Sequence, residues 1–193
     1  MIRRLLTLLP LAAAAMLAVS AVPAQGAQPA QKPINGRMDI TLNLIPCDDG
    51  RFLSWTGTVV IDGVTYGWSD EPLLVPDPPQ QPNDKFVYGE ENWTIFTLEP
   101  GQDPNENPQL ACGTFDADRV VLAGFNSGWG APGGTGKADG VVNYVGPGDD
   151  NPFANVAEGS RMFWRGELVD YPPNVPDLLP PGTEFTATLH ITD

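Results

Sequence analysis

Glu90-Glu91-Asn92-Trp93 sets two carboxylates beside an indole, and Gly128-Trp129-Gly130 places a second indole among glycines. Glycoside hydrolysis uses two carboxyl groups about 5 to 10 Å apart, and an exposed indole is a natural surface for a sugar ring. Neighbouring residues of an extended strand point to opposite faces, so only one of Glu90 and Glu91 can face a site. A second acid then has to come from another strand, with Glu167 as one source. Glu90, Trp93 and Trp129 are on this reading the candidate ligand-binding residues. The competing account treats Trp55, Trp68, Trp93, Trp129 and Trp164 as packing residues, since tryptophan carries the largest apolar area a core can bury.

Asp103-Pro104-Asn105-Glu106-Asn107 spaces oxygen side chains at alternate positions, as calcium loops do. Pro108 stands where that geometry wants glycine, and Thr114 where it wants a bidentate glutamate. An EF-hand is excluded, and an irregular calcium site on Asp103, Asn105 and Asn107 is the most the segment supports. No other cofactor is expected. Asp116-Ala117-Asp118 and Asp149-Asp150-Asn151 read as turn formers.

Other chemistries lack their parts. Gly128 to Gly133 matches G-x-G-x-x-G by letter, but a dinucleotide site needs a helix N-terminus directly after the glycines. Here Gly133-Gly134-Thr135-Gly136 and another strand follow, which reads as a glycine-rich loop, with Trp129 at a barrel mouth as the sharper alternative. A single histidine, His190, falls on the polar face of the last strand, and no serine sits in G-x-S-x-G. Zinc coordination is excluded by the count of His and Cys.

Export is the firmest functional reading. Met1-Ile2-Arg3-Arg4 is a basic start, residues 5–22 are almost wholly apolar, and Ala24-Gln25-Gly26 ends in small residues. That is the pattern of a cleaved signal peptide, here over residues 1–26. With it leave Arg3 and Arg4, while all 24 acidic residues remain against eight Lys and Arg. Such a surface repels nucleic acid and anionic lipid, so neither nucleic acid nor lasting membrane insertion is expected. The two cysteines, Cys47 and Cys112, read as one disulfide in a secreted or periplasmic protein.

After a lead-in over residues 27–36, the domain at 37–193 alternates apolar and polar residues. Met38, Ile40, Leu42 and Leu44 share one face, as do Phe185, Ala187, Leu189 and Ile191. Asp62-Gly63 between β-branched runs predicts a two-residue hairpin. Further strands are expected at 52–61, 64–68, 86–98, 110–115, 119–125, 140–145 and 161–169, separated in part by proline-rich connections. No segment carries three turns of helical periodicity. The class is therefore all-β, a single antiparallel barrel of about eight or nine strands, with a β-sandwich as the alternative.

Trp55-Thr56-Gly57-Thr58-Val59, Asp62 to Gly67 and Phe86 to Phe96 resemble secreted proteins of unassigned function. Those are similar to the small antiparallel barrels typified by allene oxide cyclase and dirigent proteins. Gly136 to Val142 and Arg161 to Gly166 continue the likeness. It implies a barrel and no particular activity. A barrel this size either fills with side chains or encloses one small ligand. The sequence is thus read as a secreted, non-catalytic protein that binds a small hydrophobic molecule or serves a structural role. A glycan-binding or glycan-cleaving domain and a barrel isomerase or cyclase are the alternatives.

Overall fold

A computed structural model describes residues 32–72, 86–115, 118–130, 134–148, 150–169, 179 and 181–192. The expected signal peptide, half of the lead-in, much of two proline-rich connections, Asp116-Ala117, Ala131 to Gly133, Asp149 and Asp193 lie outside the described residues.

Eight antiparallel strands follow one another in chain order and close, β8 pairing with β1. They are β1 (Ile34–Pro46), β2 (Phe52–Ile61), β3 (Val64–Pro72), β4 (Phe86–Phe96), β5 (Val120–Gly130), β6 (Thr135–Val145), β7 (Arg161–Leu168) and β8 (Glu184–Thr192). Period-two alternation is what closes the barrel, because each strand then has one apolar face to turn inward. Met38, Ile40, Trp55, Val59, Trp68, Trp93, Ile95, Leu122, Met162, Trp164, Phe185 and Leu189 are buried in one core. Closure leaves no unpaired sheet edge, which open β-sheets must otherwise protect.

The hairpin between β2 and β3 is as expected. Ile61 pairs with Val64, and both Asp62 and Gly63 hold positive φ, as a two-residue turn of this kind demands. Four elements differ from expectation. Leu44 does not continue the inward row of β1. A bulge between Leu42 and Ile45 gives it positive φ, leaves it 40 % exposed and buries Ile45, opposite Leu53, instead, the re-aiming that bulges bring about. Residues 110–115 form no strand but belong to a 3-10 helix over Pro108–Phe115, where proline suits a first turn. The glycine-rich stretch is not one loop, since Gly128 to Gly130 end β5 and Thr135-Gly136 begin β6, with Gly130 opposite Gly136. Pairing also starts at Ile34, inside the expected lead-in.

Among the described residues, two long connections pack against the barrel. The segment between β4 and β5 crosses the outside of the wall at β1, β2 and β3. Asn105 fixes it there, donating to the Asp39 carbonyl at 3.3 Å and accepting from Thr41 Oγ1 at 3.2 Å. Beneath its helix lies a second, smaller core of Cys47, Leu53, Phe96 and Ala111. The Cys47–Cys112 disulfide staples this strap to the end of β1 across 65 residues of chain. Gly67 has no side chain because the Phe96 ring occupies the space a Cβ would need.

The other connection, residues 146–160, plugs the end of the barrel next to the β2–β3 hairpin, here the lower end. Phe153 and Val156 join the main core, and Phe153 packs on Tyr66 with ring centroids 5.3 Å apart. Asn151 locks the plug, donating to the Val121 and Gly146 carbonyls at 3.0 and 2.8 Å and accepting from the Phe153 amide at 2.9 Å.

Candidate functional site

Toward the upper end the barrel interior changes character. Along β3 the inward row runs Tyr66, Trp68, Asp70; along β4 it runs Ile95, Trp93, Glu91; along β5 it runs Leu122, Gly124, Asn126. Asp70 is 1 % exposed, Glu91 4 % and Asn126 0 %. Register brings the three together. Asp70 is opposite Trp93, Glu91 is two residues further along β4, and Asn126 is directly opposite Glu91. Opposed residues on one sheet face have Cβ atoms about 5 Å apart and diagonal ones about 7 Å, within reach of these side chains.

The indoles of Trp68 and Trp93 stack beside the acids, 5.6 Å between centroids and 3° between planes. Trp93 lies over Gly124, the one inward position of β5 where a side chain would collide with it. Trp68 Nε1 donates to Asp70 Oδ2 at 3.0 Å. The other polar atoms are left over: Asp70 Oδ1, Trp93 Nε1 and both amide atoms of Asn126 are buried without a hydrogen-bond partner. Each such atom costs about 1–3 kcal/mol relative to a satisfied or apolar one, so their concentration here calls for an explanation that the packing of the core does not supply.

Electrostatics agree with the burial. Desolvation raises the Asp70 carboxyl to about 7, against the lowering effect of the Trp68 indole bond. Glu91 is pushed well above the ordinary carboxylate range by desolvation first and the Asp70 charge second, the two effects that disfavour a buried carboxylate. Among the described residues these are the only buried acids. Perturbed, mutually interacting carboxyls inside a fold are a recognised sign of a functional site.

The sequence candidates distribute as follows. Trp93 is in the cluster. Glu90 is exposed on the outer face, and it is Glu91 that shares the face of Trp93. Glu167 is exposed on β7, and the second acid is Asp70, which sequence reasoning missed although its parity with Tyr66 and Trp68 is legible. Asn126 was missed because the strand expected over 119–125 stops one residue short of it, whereas β5 runs on to Gly130. Trp129 sits on β5 opposite Lys137, its side chain outside the described residues. Asp103 Oδ1 accepts the Asn105 amide at 2.9 Å, and Asn105 holds the strap to β1, so these two oxygens bond within the protein. Asn107 lies in the same segment, its amide bonded to the Asp103 carbonyl at 2.9 Å. Among the described residues no three of His, Cys, Asp and Glu gather as a metal site. His190 lies outside on β8, its Nδ1 2.6 Å from Asn35 Oδ1 and its ring stacked on Phe163.

The intact disulfide, with no free cysteine among the described residues, indicates an oxidising compartment. Among the described residues no helix is long and apolar enough to cross a membrane. No protein-family model matches the chain, and neither a curated protein nor a solved structure matches it.

Proposed function

We infer that the chain is exported and works as a binding barrel, taking a small, mainly apolar molecule whose polar head meets Asp70, Glu91 and Asn126. One observation carries the reading: four orphaned polar atoms, on three consecutive strands, gathered inside an otherwise apolar barrel. Small-molecule sites combine apolar and aromatic walls with a few convergent polar groups, and that is the composition here. The resemblance to small secreted barrels is consistent with a carrier role and adds no chemistry.

The test is a fluorescence titration of the purified, disulfide-intact protein with the neutral lipophilic probe N-phenyl-1-naphthylamine. Saturable enhancement that is lost in Trp93→Ala supports the reading. A flat titration together with full hydrogen-exchange protection of β3 to β5 overturns it in favour of a purely structural barrel.

A second reading, proton-transfer catalysis of the isomerase or cyclase kind, is favoured by Asp70 alone. Its carboxyl, raised to about 7, would suit a general base near neutrality. Deuterium exchange at the α-carbons of cyclohexanone in D2O, followed by NMR, separates the two. Exchange accelerated by the wild type and abolished by Asp70→Asn would make the barrel an enzyme. The glycan alternative gains no support from Trp93, which is fully buried and offers no open face to a sugar.

A further inference from the structure

We propose that the head group held by this cluster is a protonated primary amine carried on an apolar or aromatic body. The inference rests on the binding-barrel reading and narrows it to one class of ligand.

Hydrogen-bond capacity is the first argument. Asp70 Oδ1 and Asn126 Oδ1 are unpartnered acceptors, and the Glu91 carboxyl lies between them in the register. An ammonium has three N–H donors and no acceptor, so three oxygens from three neighbouring strands match it. A hydroxyl offers one donor. A carboxylate or phosphate offers none and would face two acids. The remaining orphans, Trp93 Nε1 and Asn126 Nδ2, are donors. An oxygen on the carbon next to the one bearing nitrogen would meet them, making a β-amino alcohol the fullest match and a plain amine the minimal one.

Charge and walls are the second argument. The whole chain carries a net charge of −14, a field that draws cations toward the barrel. Organic and inorganic cations are then separated by the surroundings. Calcium wants six to eight oxygens, whereas the cluster has two acids and an amide set against stacked indoles. The stacked Trp68 and Trp93 indoles and the apolar rows below them surround the acids with walls suited to an organic body and poor in the oxygens a metal ion needs.

Occupation has a proton balance. An incoming ammonium keeps its N–H bonds; one carboxyl O–H bond breaks, and its proton passes to solvent. The titratable groups involved are Asp70 on β3 and Glu91 on β4. The described inward positions of β2 and β5 nearest to them are Trp55, Gly124, Asn126 and Gly128, none of which titrates. Tyr66, also on β3, packs against Phe153 at the lower end.

Calorimetric titration of the full, oxidised protein with 2-phenylethylamine, 2-phenylethanol and 3-phenylpropanoate tests the proposal. Charge-assisted bonds exceed neutral ones by enough to favour the amine over the alcohol about tenfold, with no measurable binding of the acid. Repeating the amine titration in buffers of different ionisation heat should show net proton release. Glu91→Gln and Asn126→Leu should each erase the preference for the amine, their urea midpoints reporting that they fold. Equal binding of alcohol and amine would overturn the amine assignment and leave the barrel reading standing. Binding of calcium chloride in competition with the amine would also overturn it. Failure of all three organic probes, with N-phenyl-1-naphthylamine silent as well, would remove both readings.

Discussion

Asn126 and Asn151 are both buried in this barrel, and they are used in opposite ways. Asn151, in the plug at the lower end, commits its whole amide to backbone: it donates to the Val121 and Gly146 carbonyls and accepts the Phe153 N–H, where β5 and β6 meet the plug. Asn126, on β5 near the upper end, has neither amide atom partnered. A buried asparagine that satisfies its surroundings is part of the fold. One that leaves itself unsatisfied burdens the fold, and its presence points to a role the fold does not need. The same division separates Phe153 and Tyr66, which seal one end, from Asp70 and Glu91, which hold protons tightly near the other.

This difference sets the expected outcomes of substitution. Phe153→Ala should be the most damaging single change, about 3–5 kcal/mol in urea denaturation, because it opens the plug and leaves a cavity against Tyr66. Reduction of Cys47–Cys112 should cost about 4 kcal/mol on the chain-entropy account, detected as a fall in Tm under dithiothreitol. Asn151→Ala should cost about 2–3 kcal/mol, since it strands the Gly146 carbonyl and the Phe153 N–H and leaves the Val121 carbonyl with only its bond from the Gly146 amide. Asn126→Leu should be near neutral or slightly stabilising. If Asn126→Leu costs as much as Asn151→Ala, the two asparagines are not different in kind and the comparison breaks.

Titration sharpens the same contrast. Both acids in the upper cluster bind their protons more tightly folded than unfolded. Below the unfolded carboxylate pKa of about 4 both states are protonated and the effect is fully present. As pH rises the unfolded chain ionises first. Stability therefore falls from about pH 4 through the folded pKa of about 7 for Asp70, and further for Glu91. Unfolding free energies from urea titrations should drop between mildly acidic and mildly alkaline pH by an amount on the order of a few kcal/mol. Asp70→Asn with Glu91→Gln should flatten that slope, and Phe153→Ala should leave it intact.

Much of the barrel is legible in the sequence because alternation is a local property. Phe52–Ile61 and Glu184–Thr192 are read to the residue, and the Asp62-Gly63 turn follows from its need for positive φ. What fails is set by distant parts of the chain. The bulge at Leu44 is invisible in an unbroken apolar row, and the helix over Pro108–Phe115 exists where Cys112 must meet Cys47. The site is less legible than the fold. Trp93 and the choice between Glu90 and Glu91 are visible in outline, because parity demands that one acid turn inward. Asp70 and Asn126 become neighbours of Glu91 only through the β3–β4 and β4–β5 registers, which no local pattern specifies.

The claim that the upper cluster is kept for a ligand rather than for the fold is tested most directly by the double variant Glu91→Leu with Asn126→Leu. The quantity to measure is the Tm shift on adding 2-phenylethylamine, against the unliganded Tm of the same sample. The account predicts an unliganded Tm at or above that of the wild type and no shift with the amine. An unliganded Tm lowered as far as that of Asn151→Ala, with the amine-induced shift preserved, would contradict it.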